Sequence, residues 1–202
     1  MERWLAVTRV IDGINRRVAI VAVYLTLFAA LLSAFNAIIR YGIGTMVWLD
    51  RNYGAGGLFS GLLSFYGRHS NSFLEGQWYM FAGMVMLGAP WTLKINEHVR
   101  VDLIYGSVSE RTRLWIDIFG GVLFLLPMCF ILFYFTWPWF LQSWNIHEVS
   151  PNAGGLVRWP VKLLLPVGFG LMILQGISEI IKRVAALFDV IDDAFVYEKP
   201  LQ

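Results

Sequence analysis

Paired thiols are missing from this chain: its 202 residues include a single cysteine, Cys129, so neither a disulfide framework nor a two-thiol redox site can form within it. Cys129 falls in the middle of an apolar run, where the expected role is that of a small core residue. Charge is scarce as well, with 15% charged against 57% hydrophobic residues, which excludes the solvated surface of an ordinary soluble domain. Sixteen basic residues are offset by fourteen acidic ones. No basic stripe interleaved with aromatics is present, so nucleic acid is excluded as a partner. The three histidines, His69, His98 and His147, fall in expected loops, leaving no pair of axial haem ligands on facing helices and no cofactor or metal site. No internal repeat is found, and with it goes the duplicated broken-helix design of self-sufficient carriers. The span centres carry no ionisable residue, so catalytic residues are not expected and the chain does not read as an enzyme.

What is there is four long apolar runs, 18–39, 78–93, 118–141 and 163–178. About 20 apolar residues suffice for a helix to cross the roughly 30 Å hydrocarbon core. The first run alone holds twelve Val, Ile, Leu and Phe residues, each worth roughly −0.3 to −0.6 kcal/mol of insertion at mid-membrane. The expected fold is an all-α, polytopic membrane protein forming one membrane domain over 1–202, with four transmembrane helices at about 18–40, 77–95, 115–141 and 161–181. The second is read as a span kinked at Pro90 rather than a re-entrant loop, and Pro127, Pro138 and Pro166 predict bends in the third and fourth.

Trp4, Val7, Ile11, Ile14 and Val18 recur at helical spacing, predicting an amphipathic interfacial helix over 1–17 that runs into the first span. A cleaved signal peptide is the rival reading, but 32–36 is a poor cleavage site. Basic residues concentrate before the first run, between the second and third, and after the fourth, which makes both termini and the middle loop cytoplasmic. The connection 41–76 then becomes a long periplasmic loop, rich in glycine and aromatics, with a short interfacial helix near 58–66. Ser72 with Glu75, and Ser107 with Glu110, have capping-box spacing and mark helix starts. Trp78, Trp137, Trp139, Trp144 and Trp159 form an aromatic belt at the outer interface.

Polar clusters sit at the span ends. Asn36 and Arg40 end the first span, where interfacial anchoring or a helix contact would explain them. Glu75 reads as a capping carboxylate or a subunit contact. Asn96-Glu97-His98-Val99-Arg100-Val101-Asp102 reads as a solvated loop or a contact surface. Glu148 and Ser150 precede the turn Pro151-Asn152-Ala153-Gly154-Gly155, followed by Arg158-Trp159-Pro160-Val161-Lys162. Glu179 with Lys182 and Arg183 reads as ordinary helix pairing worth a few tenths of a kcal/mol.

In order and spacing these clusters, together with Asn36-Ala37-Ile38-Ile39-Arg40-Tyr41, resemble the small membrane subunit of tripartite ATP-independent periplasmic (TRAP) transporters over nearly the whole chain, in a branch with a long first loop. Val157 departs from the family's proline. The resemblance implies a small permease subunit in the bacterial inner membrane. Its partners would be a large TRAP permease subunit, a periplasmic substrate-binding protein and membrane lipid. The chain would brace the large subunit for ion-coupled uptake, a symport, of an organic anion or related small solute. By the same analogy Asn36, Arg40, Glu75, His98, Arg100, Asp102, Glu148 and Ser150 are expected at subunit interfaces. The alternative is a cofactor-free accessory or assembly subunit of another membrane complex.

Overall fold

The structure, a computed structural model, describes residues 2–53, 58–96 and 107–190. Among them the chain forms four long helices: α1 (Glu2–Tyr53), α2 (Leu58–Lys94), α3 (Glu110–Asn145) and α4 (Trp159–Leu187). α1, α3 and α4 are long and apolar enough to cross a membrane. α2 has the length but not the sustained apolarity, because the polar run 68–77 occupies its middle.

α1 is unbroken for 52 residues, about 78 Å at 1.5 Å per residue and far more than the ~30 Å hydrocarbon core. The segment 2–17 therefore continues without a joint into the apolar run. At the other end the connection 41–76 departs from the expected loop with a short helix near 58–66: it is helical to Tyr53, and the helix that starts at Leu58 runs unbroken into the second apolar run. Its glycines weaken a helix by only about 1 kcal/mol each, and no proline interrupts it. Packing supplies the rest. Tyr66 and Phe73, two turns apart on α2, stack on each other, and the Tyr66 hydroxyl donates to Asn36 Oδ1 on α1. Ser72 and Glu75 consequently lie inside α2 and cap nothing. The cap of α3 is Ser109, whose Oγ accepts from the Thr112 N–H, so the helix start expected at Ser107 is displaced by two residues.

Proline bends take a specific form. α2 and α4 continue through Pro90 and Pro166, and α3 through Pro138. Pro127 instead follows a π-turn, Gly121–Leu125, in which the Leu126 N–H donates to the Gly121 carbonyl five residues back. The wider ring absorbs the residue that lacks a donor without ending the helix.

α4 is the hub, touching α1, α2 and α3, while α1 and α2 pack along each other and α3 packs on α4. α1 buries Thr8, Asn15, Ala22, Ala29 and Asn36, each seven residues from the last, interleaved with Ile11 and Ile39. That 3.5-residue period is the seam of a left-handed helix pair. Small residues let the backbones approach: a Cβ on Gly83 would come 2.7 Å from Leu25 Cδ1, and one on Gly168 would come 2.9 Å from the Met86 carbonyl oxygen. Large apolar side chains mostly face outward, Tyr134 at 72% exposure and Phe124 at 74% among them. Lipid is the solvent such a surface requires.

Near the N-terminus the apolar stripe expected to lie at the membrane surface is divided between the outside and the inside of the bundle. Trp4, Val7 and Ile14 are exposed, and Thr8, Ile11 and Asn15 are buried. Asn15 turns inward to donate to Gln175 of α4, while the Thr8 hydroxyl donates back to the Leu5 carbonyl of its own helix.

Candidate functional site

Two polar assemblies lie at opposite ends of the bundle. At the first, the 146–158 connection returns from α3 to α4 across the side of α2. Its turn is built around Glu75, a buried carboxylate on α2. Glu75 Oε1 accepts from the Ser150 hydroxyl and from Asn152 Nδ2 at 2.8 Å, while Oε2 accepts from the Leu156 N–H at 2.7 Å. One side chain thus binds both arms of the turn. Asn71 Nδ2 donates to the Ala153 carbonyl at 2.9 Å and the Ser72 hydroxyl donates to the Gly154 carbonyl, so a single face of α2 holds the whole segment. Gly154 has φ +69°, and a Cβ there would stand 2.2 Å from the Arg68 carbonyl oxygen, so glycine is required on both counts.

The same connection closes on itself. Ser150 N–H donates to the Leu156 carbonyl at 2.9 Å, and Arg158 N–H to the Glu148 carbonyl at 2.8 Å. Glu148 pairs with Lys162 and, at 3.6 Å, with Arg158. The Lys162 ammonium beside it holds the Glu148 carboxyl below the usual carboxylate range. Lys162 also lies 4.3 Å from the Trp139 ring centroid, and Trp144 meets Trp159 edge to face at 4.5 Å. Part of the expected aromatic belt is therefore a clasp between α3 and α4.

The residues expected at interfaces thus separate. Glu75 and Ser150 are in direct contact, with Glu148 on the same connection. Asn36 is buried and bonded to Tyr66, two turns of α2 away. Arg40 is exposed and makes no hydrogen bond or ion pair among the described residues. His98, Arg100 and Asp102 lie outside the described residues.

The second assembly joins all four helices at the other end. Asp12 on α1 meets Lys182 at 3.2 Å and Lys94 at 3.6 Å. Gln175 on α4 accepts from Asn15 Nδ2 at 2.6 Å and donates to Asp12 at 3.0 Å and to Glu179 at 2.8 Å. Arg183 bridges Glu179 at 2.9 Å and Asp117 of α3 at 2.8 Å. Three carboxylates and three cations balance in sign, with Glu179 and Arg183 almost fully buried. Reading Glu179, Lys182 and Arg183 as a surface pair missed this. The available signal was the spacing Gln175, Ser178, Glu179, Lys182 along one face of α4, facing Asp12 and Asn15 at the start of α1.

Among the described residues no group of three or more His, Cys, Asp or Glu could hold a metal ion. Cys129 is buried on α3. The chemistry of both assemblies is structural: fixed charges and hydrogen bonds that lock helices in register.

Comparison with known proteins follows the same outline. Residues 75–186 match the family model described as "Tripartite ATP-independent periplasmic transporters, DctQ component". The matched stretch covers more than half of the chain, beginning at Glu75 and taking in the 146–158 connection, Gln175, Glu179 and Arg183. No curated protein and no solved structure matches the chain.

Proposed function

Because the chain belongs to the DctQ component family of tripartite ATP-independent periplasmic transporters, we propose that it is the small permease subunit that braces the large membrane subunit during ion-coupled uptake of an organic anion or related small solute. A periplasmic binding protein delivers the solute, and the complex resides in the bacterial inner membrane. The chain spans four times, with α2 as the second crossing and both termini cytoplasmic. The engagement of Asn71, Ser72 and Glu75, within the polar run 68–77, by the 146–158 connection supports that reading of α2.

The observation that carries the proposal is the Glu75 junction, which opens the family match and fixes the outer end of three helices as one rigid unit. A brace requires fixed geometry and no moving site of its own. In this reading Glu75, Ser150 and Glu148 shape the outer surface offered to the partners, and Asn36 holds α1 to α2. Arg40 outside, and His98, Arg100 and Asp102 inside, contact the large subunit directly.

Removal of the chain tests the proposal. Uptake of the solute captured by the binding protein should then cease. Supplying Asp102→Ala in place of the wild type should restore membrane insertion but leave uptake and large-subunit recovery reduced. Undiminished uptake without the chain would overturn the functional reading. Full uptake and recovery with Asp102→Ala would remove the inner-loop contact alone.

A further inference from the structure

An open groove of about 660 Å³ runs between α1 and α2 at the end that carries the Asp12 network. Its floor is made of Ala19, Ala22, Gly88 and Ala89, and it reaches along α1 from Arg16 to Thr26. Ten residues of helix rise about 15 Å, half of the roughly 30 Å hydrocarbon core. The groove is therefore one leaflet deep.

Its polar lining is mostly turned away. The Thr26 hydroxyl donates to the Ala22 carbonyl and the Thr92 hydroxyl to the Gly88 carbonyl, each one turn back on its own helix. Both leave their methyl groups as the remaining side-chain surface. Arg16 is the exception. It is exposed, lines the groove, and has no hydrogen bond or ion pair among the described residues. The nearby carboxylate of Asp12 is engaged by Lys94 and Lys182.

We propose that this groove binds an anionic phospholipid of the leaflet on the Asp12 side, one acyl chain lying over the alanine and glycine floor and the phosphate meeting Arg16. A guanidinium matches phosphate geometry through two parallel N–H donors. An apolar helix from a partner subunit would fill the floor but leave the Arg16 charge without a counterion. The inference rests on reading α1 and α2 as membrane spans, and it does not depend on which large subunit the chain joins.

Native mass spectrometry of the full-length chain tests it, with dioleoyl phosphatidylglycerol and dioleoyl phosphatidylcholine supplied together in equal amounts. The anionic lipid should be retained about fivefold over the zwitterionic one, the effect of one basic residue near a lipid phosphate. Arg16→Gln should abolish that preference, while Arg3→Gln, about 20 Å away along the helix, should keep it. Ala89→Phe should lower retention of both lipids by filling the floor. Equal retention by the wild type, or a preference that survives Arg16→Gln, would overturn the proposal. So would efficient cross-linking of Ala89→Cys to a large subunit in the purified complex, which would show a protein occupant. Failure to recover any large subunit would touch the functional reading and leave the lipid assay standing.

Discussion

Both oxygens of Glu75 are engaged by the turn at 150–156, so its charge is satisfied inside the chain. A carboxylate hydrogen-bonded to a backbone N–H and two side chains positions a loop more firmly than neutral groups can. Glu75→Ala should raise protease cleavage within 146–158 by about tenfold, since one charge-assisted bond is worth at least that factor. Cleavage at the wild-type rate would contradict the junction. Glu148 adds a pH dependence of known sign. Its folded carboxyl titrates below the ordinary 4.5, so its contribution is complete above that pH and fades as pH falls through the lowered value. Protection of the connection should therefore decline below pH 4.5 in the wild type, and Glu148→Gln should remove that step from the protease profile. An unchanged step in the variant would assign it to another group.

At the scale of helices, the ionic assembly holds the most energy at risk. Glu179 accepts from Gln175, Lys182 and Arg183, and removing it leaves two cations short of a partner. Glu179→Ala should destabilise the helical domain by about 3–5 kcal/mol, the usual cost of breaking a buried pair. Thermal unfolding in detergent measures this, and a loss under about 1 kcal/mol would reassign Glu179 to the solvated surface. How much of this was legible in the sequence differs between elements. The apolar runs of α1, α3 and α4 were readable, because apolar length is a local property. A helix near 58–66 was readable from its apolar residues, whereas the helicity of 41–53 and 67–76 was masked by glycine and polar residues, and the Tyr66 contact to Asn36 that ties α2 to α1 joins residues 30 positions apart. Glu75 drew notice as a charged residue at a helix end, but its role depends on a turn 75 residues further along the chain. The Asp12 network was hidden for the same reason, being a meeting of four separate segments.

For the whole molecule, the two polar assemblies pin opposite ends of a bundle whose middle is small and apolar, while its large side chains face outward. That distribution suits a rigid body that lipid and a partner subunit surround. The most direct measurement is to tag this chain in its native host, extract it in mild detergent, and quantify by mass spectrometry what co-purifies. The account predicts a large polytopic permease in nearly equal ratio. Recovery of the chain alone, or with an unrelated membrane complex, would contradict it.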